Sequence, residues 1–291
     1  MSSYNPDDNG NPVEGESTVP REFEMFAVLA AAVFIMFAVT QPVFEFFGKG
    51  GYIIAELMLV APVIIFLARK SAGWKSILRL NGISGKVAGL SALIGLSLLV
   101  ITDEIQRLLE IVFPMPEDIL RSITENLQID SFSDFILIGT GVVIVAGITE
   151  EILFRGFVQK TLEKRKGVTQ AVTTASILFA LIHINPWWVI QILILAMFLG
   201  ILAWRADSVL PGIIVHFINN GIGLWSANSS LEEIPFYSWN GHVSPLIVLI
   251  AIYVLYRAMK SLYRETGHLH QDGGNNNHDN TDPDSTFSRR A

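Results

Sequence analysis

Apolar and polar positions alternate along this chain on the scale of whole helices, not of single turns. Runs of about 15 to 23 residues with few charges recur from Met25 to Tyr256, separated by short polar segments. Runs of that length match the thickness of a bilayer core. The pattern predicts eight spans: Met25 to Phe47, Ile53 to Ala68, Val87 to Ile101, Phe135 to Phe157, Val168 to His183, Pro186 to Trp204, Val209 to Trp225, and Leu246 to Tyr256 with an extension at its start. Gln41-Pro42 is expected to kink or end the first. Gly89, Ser91, Ala92, Gly95 and Ser97 give the third a stripe of small residues that permits close helix approach. Ile105 to Phe113 has amphipathic spacing and is expected at the membrane surface. The loop 114–133 is acidic, with a short helical pattern of its own.

The expected fold class is therefore an all-α polytopic membrane protein of about eight transmembrane helices, with a polar site between helices 4, 5 and 7. Three parts are expected: a disordered cytoplasmic tail at 1–21, a membrane-embedded domain at 22–264, and a disordered low-complexity tail at 265–291. Residues 1–21 read as a polar tail and not as a signal peptide. Composition agrees with lipid as the solvent: 51% of residues are hydrophobic, 16% are charged, and mean hydropathy is +0.46.

Charge sets an expected orientation. Basic residues gather after spans two, four, six and eight, namely Arg69 to Arg79, Lys160 to Lys166, Arg205, and Arg257 to Arg264. Basic loops stay on the cytoplasmic side, so both termini are expected there. The net charge of −7 and the lack of a basic stripe argue against a nucleic-acid partner. The chain has no cysteine, which removes thiolate catalysis and cysteine-held metals.

Candidate chemistry centres on Gly147 to Phe157. Glu150, Glu151 and Arg155 lie near one end of span four, where ionisable groups are expensive and by default functional. Glu151 and Arg155 are four apart and can pair; Glu150, rotated by about 100°, is left over. His183, the pair His216 and Asn220, and Asn185 add polar groups at or near membrane depth. The remaining histidines, His242, His268, His270 and His278, are expected in solvent, and Glu56 reads as an interfacial carboxylate. Amide hydrolysis needs a base for water, a donor for the oxyanion and a proton for the leaving nitrogen. Glu150 suits the first role, with His183 sharing the water, and His216 and Asn220 on one helix face suit the second.

Zinc held by two His and a Glu, a proton- or ion-coupled transporter, and a non-catalytic scaffold stapled by polar pairs use the same residues, and spacing alone leaves all three open. Depth adds one expectation. A helix ending at Phe157 puts Glu150 about 10 Å from its end, while His183 lies about 22 Å from Val168. Continuing helix four to about Lys164 makes that about 21 Å and closes the gap. Span four is thus expected to be unusually long, its last turns in the cytoplasm.

Three motifs occur in order: Glu150-Glu151-x-x-x-Arg155 followed by Gly156-Phe157, then Phe179-x-x-x-His183, then His216-x-x-x-Asn220. In these the sequence resembles the CPBP family of CAAX prenyl endopeptidases and bacteriocin-processing enzymes, also called the Abi family. The resemblance covers about 135–225. It implies an intramembrane glutamate protease that uses no metal and no cofactor. Glu150 is then the water-activating base assisted by His183, and His216 and Asn220 form the oxyanion hole. Glu151 and Arg155 support the site, and Phe179 packs beside the scissile region. It also implies a membrane-associated peptide or protein substrate, in CAAX-like processing, peptide maturation or bacteriocin self-immunity. The polar tails and lack of long insertions resemble prokaryotic members, which places the chain in a cell membrane.

Overall fold

The computed structural model describes residues 19–70, 73–229 and 235–270. The apolar runs form helices: α1 (Glu22–Phe47), α2 (Gly51–Lys70), the single turn α3 (Trp74–Ile77), α4 (Gly85–Val112), α5 (Glu117–Leu127), α6 (Phe132–Lys166), α7 (Val168–Ile182), α8 (Val189–Ala206), α9 (Leu210–Ala227) and α10 (Pro245–Glu265). A two-stranded hairpin, β1 (Ser238–Trp239) and β2 (His242–Val243), precedes α10. Among the described residues five stretches are long and apolar enough to cross a membrane; the longest, Glu22–Lys70, contains both α1 and α2. The chain is an all-α, multi-pass membrane protein.

Local chemistry sets the helix ends. Ser84 caps α4 by accepting from the Val87 amide at 3.2 Å, and Ser131 caps α6 by accepting from the Asp134 amide at 3.1 Å. Pro211 and Pro245 occupy first turns, where no amide proton is needed. Gly167, at φ 81°, breaks α6 from α7.

Several boundaries differ from expectation. α1 ends at Phe47 as expected but holds Pro42 inside it, where the missing amide costs one ladder bond near the helix end. Ile105 to Phe113 is not a separate surface segment, because α4 runs unbroken to Val112. Asp103, Glu104 and Arg107 on its last turns take partners from the hairpin region and α4 itself. Pro186-Trp187-Trp188 forms a turn ahead of α8 instead of opening it. Residues 267–270 form a 3₁₀ turn inside the expected tail. His278 and the segments 1–18 and 271–291 lie outside the described residues, as do the side chains of His268 and His270.

Two apolar clusters form the core. Met25, Leu29, Leu59, Val63, Phe154, Phe157, Ala175 and Phe179 join α1, α2, α6 and α7. Ile94, Leu98, Leu199, Leu202, Val215 and Ala258 join α4, α8, α9 and α10. Gly95 lets α4 approach α9, since a Cβ there would sit 3.2 Å from the Val215 Cα.

Each end of the bundle has a polar fastening. Arg79, in the expected basic loop, is 1% exposed. It pairs with Glu163 and with Asp207 at 3.2 Å, and donates to the Arg155 carbonyl at 3.2 Å. Lys160 reaches Asp207 at 2.5 Å. At the other end, Asn240 and Gly241, both at positive φ, turn the hairpin. Glu104 then accepts from the Val243 amide at 2.7 Å and contacts His242 Nδ1 at 3.0 Å, so His242 is fastened and not simply solvated. Tyr237 donates to Asp103 at 2.7 Å. Burial first, and then that bond, push the Tyr237 phenol above the ordinary tyrosine range.

Candidate active site

α6 is 35 residues long, as the depth argument required. Its hydrogen bonding widens to π-helical turns at Gly139–Val145 and again at Ile152–Val158, leaving six α-helical residues, Ala146–Glu151, between them. Such turns recur at functional sites because they re-aim side chains within a continuous helix. The two glutamates close the α-helical island.

Glu151 is fully buried. Its Oε1 lies 3.0 Å from Arg155 Nη1, so the pair expected from spacing forms. The alignment is that of an ion pair and not of a good hydrogen bond, since neither atom meets hydrogen-bond geometry. Arg155 spends a second nitrogen on the Ala196 carbonyl at 3.2 Å and lies 4.2 Å from the Phe179 ring centroid, a cation–π contact. α9 approaches the same carboxylate so closely that a Cβ at Gly212 would collide with Glu151 Oε2.

Glu150 is 8% exposed, and its Oε2 has no hydrogen-bond partner among the described residues. It faces His216 Nε2 at 3.7 Å, while His216 Nδ1 faces Glu151 Oε1 at 3.5 Å. The two carboxylates therefore converge on opposite edges of one imidazole despite their angular separation along α6. Both distances are too long for hydrogen bonds.

Phe179 connects the elements. Its ring is 4.8 Å from the His183 ring and meets the His216 ring edge-on at 6.0 Å. His183 caps α7, with Nδ1 2.8 Å from the Phe179 carbonyl. A carbonyl only accepts, so Nδ1 carries a proton and Nε2 is left to face another partner. At 15 residues α7 spans about 22 Å, less than a bilayer core. The non-helical 183–188 that follows begins with Ile184 at φ 46°, an outlying conformation for a β-branched residue. Asn185 accepts from the Trp187 amide at 3.1 Å and shapes this turn without joining the cluster.

Asn220 lies one turn beyond His216 on α9. Its Nδ2 donates to the Val142 carbonyl at 2.9 Å, and its Oδ1 accepts from Asn219 at 3.3 Å. One amide proton remains for another acceptor. The structure thus brings Glu150, Glu151, Arg155, Phe179 and His216 into direct contact. His183 joins through Phe179, and Asn220 through α9.

Glu56 has a partner that the sequence reading did not name. Thr149, next to Glu150, places its Oγ1 3.0 Å from Glu56 Oε2. Its signal was a lone charge in an apolar run, which names a site but no partner.

Among the described residues no three His, Asp or Glu side chains are arranged to hold a metal ion. The His216 nitrogens, in particular, face different glutamates. An open cavity of about 550 Å³ lies beside the hairpin, lined by Glu104, Trp239, His242 and Val248 among others, and shares no lining residue with this cluster.

No curated protein and no solved structure matches the chain. A family model does: residues 132–222, about a third of the chain, match the family described as Type II CAAX prenyl endopeptidase Rce1-like. The matched segment holds all three motifs together with α6, α7, α8 and most of α9. The match covers less than half of the chain and supports a CAAX-protease/Abi-family assignment for that segment.

Proposed function

We propose that the protein is a metal-independent endopeptidase that hydrolyses a peptide bond within the membrane, using Glu150 to activate water. The observation that carries this is the buried Glu150 Oε2 without a hydrogen-bond partner, beside a Glu151 whose charge is already matched by Arg155. A carboxylate left over in this way is available to take a proton.

In this reading a water bound between Glu150 and His183 Nε2 loses its proton to Glu150 as its oxygen bonds to the carbonyl carbon. Negative charge moves to the carbonyl oxygen, where His216 and the spare Asn220 amide proton stabilise it. Glu150 then passes the proton to the leaving nitrogen, the C–N bond breaks, and an acid and an amine remain. Glu151 and Arg155 hold α6 against α9, and Phe179 packs against both histidines beside the scissile bond.

The substrate class is a membrane-associated peptide or protein. The eight helices of fifteen residues or more each cross or enter the bilayer in this reading, with both termini cytoplasmic, so that cleavage occurs in the cytoplasmic half. The tails 1–21 and 265–291 lie outside the 22–264 catalytic domain. Membranes carrying wild-type or Glu150→Gln protein, compared for peptide termini, test the activity. A terminus made by wild type alone is expected; identical termini in both would contradict it.

A further inference from the structure

The reaction above leaves Glu56 without a role, although it sits beside the base. α2 packs along the middle of α6, and Glu56 is its one acidic residue. Thr149 is 4% exposed. Its Oγ1 lies 2.9 Å from the Val145 carbonyl, 3.4 Å from the Ala146 carbonyl and 3.0 Å from Glu56 Oε2. Helical threonines commonly spend their one proton on the carbonyl four residues back. If Thr149 does so, its contact with Glu56 needs a second proton, and a carboxylic acid is the one group there that can bring it.

Charge balance points the same way. Glu150 and Glu151 face one guanidinium, Arg155, and one imidazole, His216, and among the described residues Glu56 pairs with no cation, only with Thr149. Arg155 is committed to Glu151. Glu56 contacts Thr149, the residue that precedes Glu150, so the two carboxylates stand at the same contact of α2 with α6. Two carboxylates sharing a low-dielectric site do not readily both ionise.

We infer that Glu56 is a positioning residue for Glu150: it holds a proton that it donates to Thr149 Oγ1, and so stands as a neutral acid beside the carboxylate that accepts water's proton. The inference rests on Glu150 being the base. Glu56 acts through Thr149, which fixes the α6 turn from which Glu150 projects.

The test uses the full-length protein in lipid nanodiscs. Infrared difference spectra in H₂O and D₂O report protonated carboxyl groups directly. A protonated-carboxyl band is expected in wild type and in Glu150→Gln, and is expected to vanish in Glu56→Gln. The same band in wild type and Glu56→Gln would overturn the inference. On a cleaved substrate, Glu56→Leu should lower kcat about tenfold, the worth of one hydrogen bond, with KM unchanged. Glu56→Gln, which can still donate to Thr149, should recover most of that loss. Wild-type kcat in Glu56→Leu, or equal damage from Leu and Gln, would overturn it. If Glu56→Leu fails to fold, Thr149→Val replaces it: the band should shift and kcat fall, and no change in either would overturn the inference. Full cleavage by Glu150→Gln would instead remove the base assignment, an outcome separate from the Glu56 band.

Discussion

A buried carboxylate oxygen without a hydrogen-bond donor is costly, and Glu150 Oε2 is such an atom. Its neighbour differs in what it touches. Glu151 meets Arg155 at 3.0 Å, so Glu151→Gln leaves a buried guanidinium without its counter-charge. That substitution should destabilise the protein by about 3 kcal/mol and lower activity with it, measured by thermal unfolding in detergent beside turnover. Unchanged stability would show that Arg155 draws its support elsewhere. His216→Ala and Asn220→Ala should each lower kcat by roughly 10²-fold or more, with little change in KM, if they serve the oxyanion. A rise in KM alone would assign them to substrate binding. At this scale the sequence was informative where partners are four residues apart, as in Glu151 and Arg155. It was silent where they are distant: Glu56 and Thr149 are 93 residues apart. That His216 faces both glutamates is likewise a consequence of α9 packing on α6, which no local spacing encodes.

Among elements, α6 carries the most information. Its length followed from matching the depths of Glu150 and His183, yet its two π-helical turns did not, because they arise from packing and leave no periodicity in hydrophobicity. Gly156 in the first motif has a packing reason: a Cβ there would lie 2.9 Å from the Leu78 carbonyl oxygen and 3.0 Å from its Cα. Arg79, in the same segment, donates to the Arg155 carbonyl. Gly156→Ala should therefore push the segment around Leu78 off α6, costing roughly 1–3 kcal/mol as overpacking does. Accelerated hydrogen exchange at 74–81 in that variant is the check, and unchanged exchange would contradict the contact. Continuity of α4 past Ile101 was hidden for a related reason. Asp103, Glu104 and Arg107 look like the end of a span, but the Asp103–Tyr237 and Glu104–Val243 bonds give those charges partners and let the helix run on.

For the whole molecule, hydropathy revealed the class and the rough order of helices, while polar content blurred the count. α9 carries His216, Asn219 and Asn220 and is absent from the five stretches that meet the length and hydropathy of a membrane span. The helix that carries His216 and Asn220 thus falls outside that measure of a membrane span. The orientation proposed from the basic loops is directly measurable, because the chain has no cysteine. A cysteine at Ser131, before α6, should react with an impermeant reagent from the outer face, and one at Lys164 only after the membrane is opened. Labelling of Ser131→Cys from the cytoplasmic side alone would reverse the topology. The account as a whole stands on one reaction step at one atom. The most direct measurement is the single-turnover cleavage rate of purified wild-type and Glu150→Gln protein on a peptide whose terminus wild type was seen to make. With folding preserved, the account predicts a fall of about 10²-fold or more in Glu150→Gln. Undiminished cleavage by correctly folded Glu150→Gln would contradict it.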